Sequence, residues 1–261
     1  RLDKLLVDKG LIGSRERAQA LILAARVLVD GQRVTKAGQR VATDSNLQLI
    51  GLDHLFVSRG GIKLQHAIET FSIDVKGLVA MDVGASTGGF TNYLLQNGAR
   101  KVYAIDVGYG QLAWKLRQDH RVVVLERQNI RHLSKERIRG PVQIATVDTS
   151  FISLKLVIPA VKQFFEYGDD SELPPEGSSL FKAKLIALIK PQFEAGRAYV
   201  GKNGVVRDEK VHQAVCDSIS EFCLSSGFQV EGVIPSPVLG PKGNREFLLV
   251  AAHERPCTVN G

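Results

Sequence analysis

The segment Val79–Leu95, "VAMDVGASTGGFTNYLL", combines three patterns that together decide the fold of the larger part of the chain. Its apolar start ends at Asp82 and predicts a buried strand, the glycine-rich middle predicts a tight turn, and the following apolar residues recur at helical spacing. A strand, a glycine turn and a helix in this order are typical of parallel α/β sheets, in which ligands bind beyond the carboxyl ends of the strands.

The same alternation of strand and helix continues through residues 55–261, which we expect to form one domain. Strands are predicted at 78–83, 101–106, 121–125, 142–148, 184–190, 228–234 and 246–252. Helices between most of them predict a seven-stranded, mostly parallel sheet covered on both faces. The last connection is too short for a parallel crossover, so the last strand should run antiparallel. Residues 168–180 are rich in Pro, Gly, Ser and acids and predict a surface loop.

The glycine turn has the spacing G-x-x-x-G-G from Gly84, which matches neither a dinucleotide fingerprint nor a P-loop. Free backbone N–H groups at the helix start suit a carboxylate, a ribose or a phosphate, and Asp82 can take an ammonium group. The next strand ends at Asp106, where an acid can accept both ribose hydroxyls. A ligand with an amino acid at one end and a ribose at the other fits both acids, and S-adenosylmethionine (SAM) is such a ligand.

Two other interpretations of this turn stay open, namely NAD binding and a turn that only packs the strand against the helix. The residues that we expect around SAM are Asp82, Gly84, Ser86, Thr87, Gly88, Gly89, Phe90, Thr91, Asp106 and Asn129.

Residues 1–50 are basic, with nine Lys/Arg against five Asp/Glu in a chain whose net charge is +7. Such a surface suits a polyanionic partner. Two short helices are predicted, the first ended by Gly10 and the second capped by Ser14, and Asp30-Gly31 predicts a hairpin turn. The side chains that we expect to bind RNA phosphates are Arg1, Lys4, Arg15, Arg17, Arg26, Arg33 and Lys36.

Three motifs of this segment resemble the S4 RNA-binding domain: the R-L-D start, S-R-x-x-A at Ser14–Ala18 and V-x-V-D-G at Val27–Gly31. The resemblance covers nearly all of residues 1–54 and implies a small α+β domain that binds RNA. Ala25 departs from it, since the family often has glycine there. The alternative is a basic helical cap without a role in RNA binding.

The segment Val147–Leu154, "VDTSFISL", bears on the methyl acceptor. Methyltransferases acting on base amino groups usually carry N/D-P-P-Y/F here, whereas this chain has Asp-Thr-Ser-Phe. A Pro-Cys pair, as cytosine-C5 enzymes need, occurs only at Pro256-Cys257 in the tail, so covalent base chemistry is not expected. Lys63 stands just before the predicted first helix of this domain, and Lys190 ends the fifth strand. Sequence order does not show whether such residues meet.

The motifs "SRGGIKL", "DVGASTGGFT", "VDTSFISL", "IKPQFE" and "GVVRD" together resemble FtsJ-type ribose 2′-O-methyltransferases. With the S4-like segment, the whole chain is similar to the TlyA family. The resemblance implies a Rossmann-like class I methyltransferase fold, SAM as cofactor, and ribosomal RNA or a ribosomal subunit as substrate, methylated on cytidine ribose. It also implies a catalytic tetrad of Lys63, Asp148, Lys190 and Glu246. Lys190 would activate the 2′-OH, because burial and a second cation such as Lys63 lower the pKa of a lysine.

Two other functions are weighed against this one. A vestigial fold would make the chain a non-catalytic assembly factor that binds rRNA. A pore-forming haemolysin is disfavoured, because no segment has the length and apolar character of a membrane span. The N-terminus shows no signal-peptide pattern and the three cysteines cannot all pair, so we expect a cytoplasmic protein with buried, reduced thiols. We expect no metal ion and no membrane partner.

Overall fold

The computed structural model describes residues 1–9, 15–43, 45–49, 56–165, 180–201 and 203–256. Predictions for Gly10, Ser14 and Cys257, and for the loop up to residue 179, lie outside the described residues. The chain divides into two compact units, Arg1–Leu55 and Phe56–Gly261, and each unit contains its own hydrophobic core.

Unit 1 is a small α+β structure, as the sequence predicts. Its elements are α1 (Leu2–Asp8), α2 (Arg15–Leu23), β1 (Val27–Val29), β2 (Gln32–Val34) and β3 (Leu47–Leu49). The strands form an antiparallel sheet in the order β2-β1-β3, and the core beneath it contains Leu2, Leu6 and Ile22. Asp30 and Gly31 join β1 to β2 with φ values of 51° and 82°, which confirms the predicted hairpin and its two-residue turn.

The end of α2 explains why a glycine is favoured at position 25. Ala25 has φ 54°, in the left-handed region, and the Arg26 N–H donates to the carbonyl of Leu21. This six-to-one hydrogen bond closes the helix in a Schellman arrangement, whose left-handed residue is usually glycine. Ala25 adopts this conformation with a side chain present, so the departure from the family pattern leaves the local fold intact.

Unit 2 contains the predicted seven-stranded sheet. Its strands are β4 (Val79–Val83), β5 (Lys101–Asp106), β6 (Val122–Glu126), β7 (Ile144–Val147), β8 (Leu180–Ile189), β9 (Gln229–Pro235) and β10 (Phe247–Pro256). Their order is β6-β5-β4-β7-β8-β10-β9, the first five are parallel, and β10 is antiparallel to both neighbours. The predicted antiparallel last strand is therefore confirmed. β8 and β10 are longer than predicted because they pair with each other over ten residues.

Helices cover both faces of this sheet. They are α3 (Gly60–Thr70), α4 (Gly89–Gln96), α5 (Trp114–Arg117), α6 (Leu154–Phe165), α7 (Pro191–Glu194) and α8 (Glu209–Ser225). One core packs α6 and α8 against Leu185 of β8, and the other packs α3 and α4 against Ile186, which points to the opposite face. Cys216 and Cys223 are buried in the first core, as predicted. No helix in the described ranges is long and apolar enough to cross a membrane.

One predicted boundary is wrong. Lys63 was expected before the first helix of this domain, but α3 begins at Gly60 and Lys63 lies in its first turn. The glycine pair of "SRGG" suggests a linker, whereas the structure uses it for close packing. A Cβ on Gly61 would lie 2.1 Å from the ring of Phe56. The helix therefore starts one turn earlier than the sequence pattern indicates.

Candidate active site

The glycine turn between β4 and α4 packs tightly against its neighbours. Gly84 and Gly88 have φ values of 84° and 92°, a region that side chains rarely adopt. A Cβ on Gly84 would lie 2.4 Å from the carbonyl oxygen of Asp148, and one on Gly88 would lie 2.3 Å from Leu116. The spacing of these two glycines therefore reflects close approach to the end of β7 and to α5.

Asp82 stabilises the turn by accepting hydrogen bonds from Thr91 and Thr146. Its Oδ2 accepts hydrogen bonds from the backbone N–H and the hydroxyl of Thr91, at 2.9 and 2.6 Å, and its Oδ1 accepts one from Thr146 at 3.2 Å. Burial raises the pKa of Asp82 to about 6. Asp82 lines a cavity, but both of its oxygens have partners within the chain, and Thr91 lies beneath the turn rather than along that cavity.

Asp106 holds the other side of the turn. Its Oδ2 accepts from the Ser86 N–H at 2.8 Å and its Oδ1 from the Gly108 N–H at 2.7 Å. A carboxylate has about four acceptor sites, so Asp106 keeps capacity for two more donors, such as the hydroxyls of a ribose. Asp106 borders a cavity of about 470 Å³ that Asn129 also lines. Asn129 in addition accepts from the Arg131 N–H at 3.1 Å.

A second cavity of about 240 Å³ adjoins the first, because Gly84, Ser86 and Asp148 line both. Of the residues predicted to bind SAM, Asp82, Thr87, Gly89 and Phe90 also line this second cavity. Gly88 lines neither cavity, and its contribution is to let the turn adopt its conformation. Together the two cavities form a groove along the carboxyl ends of β4, β5 and β7.

The groove fits a nucleoside with an amino-acid tail. Its size is in the usual range for small-molecule sites. Thr149 lines the larger cavity, and its hydroxyl is buried without a hydrogen-bond partner within the described ranges. Because buried polar groups are nearly always hydrogen-bonded, this oxygen and the spare acceptor sites of Asp106 both fit a polar ligand. The residues present are therefore compatible with SAM.

Two lysine–carboxylate pairs stand at the smaller cavity. Lys190 Nζ lies 2.6 Å from Asp148 Oδ1, and Lys63 Nζ lies 2.6 Å from Glu246 Oε2. The side chain of Glu246 is fully buried and that of Lys63 is 10% exposed. Lys63 and Asp148 both line this cavity, so each pair contributes one residue to its wall. Buried charges of this kind need their partners, because an unpaired one would be strongly destabilising.

Strand order explains how three residues that are distant in the chain come to lie at one edge of the sheet. Asp148 follows β7, Lys190 follows β8, and Glu246 precedes β10, and these three strands are neighbours in the order β7-β8-β10. The carboxyl ends of parallel strands lie at one edge of a sheet. Because β10 is antiparallel, its amino end lies at the same edge, with Phe247 paired to Ile189. Lys190 is also the N-cap of α7, with Pro191 at the first helical position.

Ser150 and Gln111 are among the residues at the site that were not predicted. Ser150 Oγ accepts a hydrogen bond from Lys190 Nζ at 2.9 Å, and Gln111 lines the larger cavity beside Asp106. Ser150 belongs to the "VDTSFISL" motif, but the direction of its side chain depends on a tight turn in which Phe151 has φ 64°. Gln111 lies in a loop of the β5–β6 connection, and no residue pattern marks it as a site residue.

Some basic side chains of unit 1 contact an acid within the unit, and most of those predicted to bind RNA are exposed. Arg1 and Arg15 both donate to buried Asp3, and hydrogen bonds from Gln19, Arg1 and Arg15 hold the pKa of Asp3 well below its usual range. The exposed members of the predicted RNA-binding set are Arg1, Lys4, Arg15, Arg26, Arg33 and Lys36. Arg33 and Lys36 line a groove on the hairpin side of unit 1. The side chain of Arg17 lies outside the described residues.

Comparison with known proteins identifies both parts of the chain. Residues 56–253 match the model of the FtsJ-like methyltransferase family, and residues 1–46 match the S4 domain. The chain is 45% identical to YqxC of Bacillus subtilis over 250 residues, covering 95% of this chain and 84% of that protein. It is 42% identical to the 16S/23S rRNA (cytidine-2′-O)-methyltransferase TlyA of Mycobacterium tuberculosis, covering 95% and 88%.

Hemolysin A of Brachyspira hyodysenteriae is 37% identical, with coverage of 95% of this chain and 98% of that protein. A solved structure from Streptococcus thermophilus has a TM-score of 0.71 at 40% identity and covers 97% of this chain and 88% of its own. These matches extend over both units. The chain therefore belongs to the TlyA family, in which an S4 domain precedes an FtsJ-like methyltransferase domain.

Proposed function

We propose that this protein transfers the methyl group of SAM to the 2′-hydroxyl of a ribose in ribosomal RNA, with cytidine as the modified nucleotide. The observation that carries the proposal is that two lysine–carboxylate pairs, Lys190–Asp148 and Lys63–Glu246, each contribute a residue to the lining of a groove that fits SAM. The similarity to proteins named rRNA (cytidine-2′-O)-methyltransferases supports the acceptor, and the S4 domain supports an RNA substrate.

In this proposal the residues of the site have different roles in the reaction. SAM, when bound, supplies a methyl group on a sulfonium that is open to attack by an oxygen. Lys190 orients the 2′-hydroxyl and, once its ammonium group has released a proton to solvent, its neutral amine accepts the hydroxyl proton. General-base catalysis of this kind is worth about 10²- to 10⁴-fold in rate. Asp148 and Ser150 hold the Lys190 amine in place. Glu246 holds Lys63, which lines the same cavity as Asp148. The fixed alignment of the hydroxyl with the methyl group supplies the remaining acceleration.

Each unit has a separate task in this proposal. Unit 1 holds rRNA or a ribosomal subunit through contacts between its exposed arginines and lysines and the phosphates. Unit 2 binds SAM and carries out the transfer. A substrate of this kind places the protein in the cytoplasm, where ribosomes are assembled.

Methyl-labelled SAM and the full chain test the role of Lys190. We expect label transfer to rRNA or ribosomal subunits to fall at least 100-fold in Lys190→Ala, because the group that takes the proton is lost. SAM affinity, measured by calorimetry, should stay within a few-fold of the unchanged chain. Lys210→Ala, an exposed lysine on α8, is the matched control and should transfer normally. Unchanged transfer in Lys190→Ala would remove this residue from the mechanism.

The same assay separates the alternatives. A non-catalytic assembly factor would bind rRNA yet never transfer label, although its site would have no need for two lysine–carboxylate pairs. A pore-forming haemolysin would release dye from liposomes without SAM or RNA. If label is transferred and no dye is released, the methyltransferase is the only one of these three functions that agrees with both measurements.

A further inference from the structure

The connection after β5 exposes an unusual amount of apolar surface. Val107, Tyr109 and Trp114 are 70%, 68% and 73% exposed, within eight residues of each other along the chain. Single exposed apolar residues are common on protein surfaces, but a cluster of this kind often marks an interaction site. Val107 also lines the larger cavity, next to Asp106, so the cluster begins at the edge of the proposed active site.

Contacts on the inner side hold this segment in place. The Arg127 N–H donates to the carbonyl of Gly108 at 3.0 Å, and Arg117 Nε donates to the carbonyl of Leu112 at 3.0 Å. Arg117 also forms an ion pair with Glu126. The aromatic side chains are therefore exposed on a segment that is fixed to the end of β6.

The surroundings are strongly basic. Residues 107–139 contain eight lysines and arginines against three acids, an excess of +5. The whole chain carries +7, residues 1–50 carry +4 and residues 107–139 carry +5, so the residues outside these two segments have a net charge of −2. Two of the three acids, Asp119 and Glu126, are already paired with arginines. The positive charge of the whole chain thus lies in two segments, one in each unit.

One exposed arginine is already stacked on an aromatic ring. The guanidinium of Arg127 lies 4.3 Å from the ring centroid of Tyr109, and Arg131, four residues later in the chain, is also exposed. Aromatic and arginine planes on a basic surface are the combination that binds unpaired nucleotides, since bases stack on the planes and phosphates pair with the charges. Aromatic and basic residues also occur at membrane and protein interfaces. Here the cluster borders the proposed active site through Val107, and this position favours RNA as the partner.

We propose that Val107–Arg139 forms a second RNA-binding surface, the aromatic–arginine surface, on which Tyr109 and Trp114 stack on unpaired nucleotides near the methylated ribose. Arg127 and Arg131 contact the adjoining phosphates. The inference rests on the proposed rRNA substrate and adds to it, because it requires unpaired nucleotides beside the target. It assigns to unit 2 a share of the RNA contacts that the S4 domain would otherwise provide alone.

Trp114 permits a direct test, because it is the only tryptophan of the sequence. Protein fluorescence excited at the indole band therefore reports on this surface in the unaltered full chain. We expect a short single-stranded rRNA transcript to quench this emission and to reduce its accessibility to acrylamide, since a stacked base covers the ring. A duplex of the same sequence should do so much less, and saturating SAM alone should leave the accessibility unchanged.

Variants give a second measurement. Tyr109→Ala and Trp114→Ala should each weaken binding to the single-stranded transcript about tenfold, with unchanged SAM affinity and melting temperature. Tyr199→Ala is the matched control, because Tyr199 is also aromatic and 61% exposed but lies outside this surface. Arg127→Ala combined with Arg131→Ala should reduce the slope of log affinity against log salt by ~1.4.

The outcomes distinguish this inference from the proposed function. If the unaltered chain neither binds nor methylates rRNA, the proposed function fails. If it binds and methylates rRNA while acrylamide quenching of Trp114 and the affinities of the variants stay unchanged, only the aromatic–arginine surface is overturned. Protection of Trp114 by whole subunits but not by protein-free rRNA would also overturn it, in favour of a ribosomal protein at this surface.

Discussion

At the scale of single residues, Asp82 shows how burial changes the role that a sequence pattern suggests. An acid at the end of a strand beside a glycine turn suggests a ligand contact. The structure surrounds this carboxylate with hydroxyl and N–H donors of Thr91 and Thr146, so that it holds the start of α4. Desolvation nevertheless outweighs these hydrogen bonds and raises the pKa of Asp82 to about 6.

This raised pKa predicts a stability effect with a definite sign. At pH values between the usual aspartate pKa of ~3.9 and about 6, the folded state binds more protons at Asp82 than the unfolded state does. The contribution of Asp82 to stability therefore grows as the pH falls through about 6, in contrast to that of a salt-bridged acid.

Chemical unfolding of the unaltered chain and of Asp82→Asn, at pH 7 and at pH 5, measures this effect. The difference in unfolding free energy should shift by about 1 kcal/mol in favour of the unaltered chain at pH 5, because asparagine does not titrate. A difference that is independent of pH, or that shifts the other way, would show that Asp82 is not protonated on acidification.

At the scale of elements, the turn between β4 and α4 needs glycine at position 84 for two reasons. Gly84 has a left-handed backbone conformation, and it packs closely against the backbone of Asp148. Gly84→Ala should cost about 1–2 kcal/mol for the left-handed conformation alone. It should also displace the backbone at Asp148, since the added Cβ would lie 2.4 Å from that carbonyl oxygen. Because Gly84 and Asp148 line both cavities, we expect loss of SAM binding in calorimetry.

Gly77→Ala separates strain from displacement. Gly77 has φ 76°, and nothing lies within 4 Å of the position of its added Cβ. This variant should lose a similar amount of stability through strain but should bind SAM normally. Equal SAM affinity in both variants would contradict the role of close packing at Gly84.

The sequence predicted the order of the helices and strands better than the residues at which they begin and end. All seven strands of unit 2 were predicted from apolar runs, since each run is bounded by turn residues. The start of α3 was misplaced, because the Gly60-Gly61 pair reads as a linker unless the packing of Phe56 is known. The extra length of β8 and β10 depends on their mutual pairing, which no local pattern encodes.

At the scale of the whole molecule, the proposed interaction with RNA depends on where the positive charge lies. Removing Arg33 and Lys36, which line the groove of unit 1, should weaken rRNA binding and reduce the salt slope by ~1.4. SAM affinity should not change. The control with the same loss of charge is Lys155→Ala with Lys210→Ala, two lysines at a separate cavity of unit 2.

Filter binding over a series of salt concentrations makes this comparison. Equal losses of affinity in the two double variants would mean that net charge alone, rather than the location on unit 1, governs the interaction. A loss confined to Arg33 and Lys36 would place phosphate contacts on the S4 domain.

The sequence by itself determined the order of elements, the antiparallel last strand, the S4-like start and the types of residue at the site. These follow from local information: the period of apolar residues, glycine spacing and the length of connections. The tertiary structure decided which of these residues meet. Asp148, Lys190 and Glu246 come together only because β7, β8 and β10 are neighbours and β10 is reversed, and strand order is set by packing over the whole sheet. The partners of Asp82 and the stacking of Arg127 on Tyr109 were decided in the same way, because a side chain's contacts depend on residues distant in the chain.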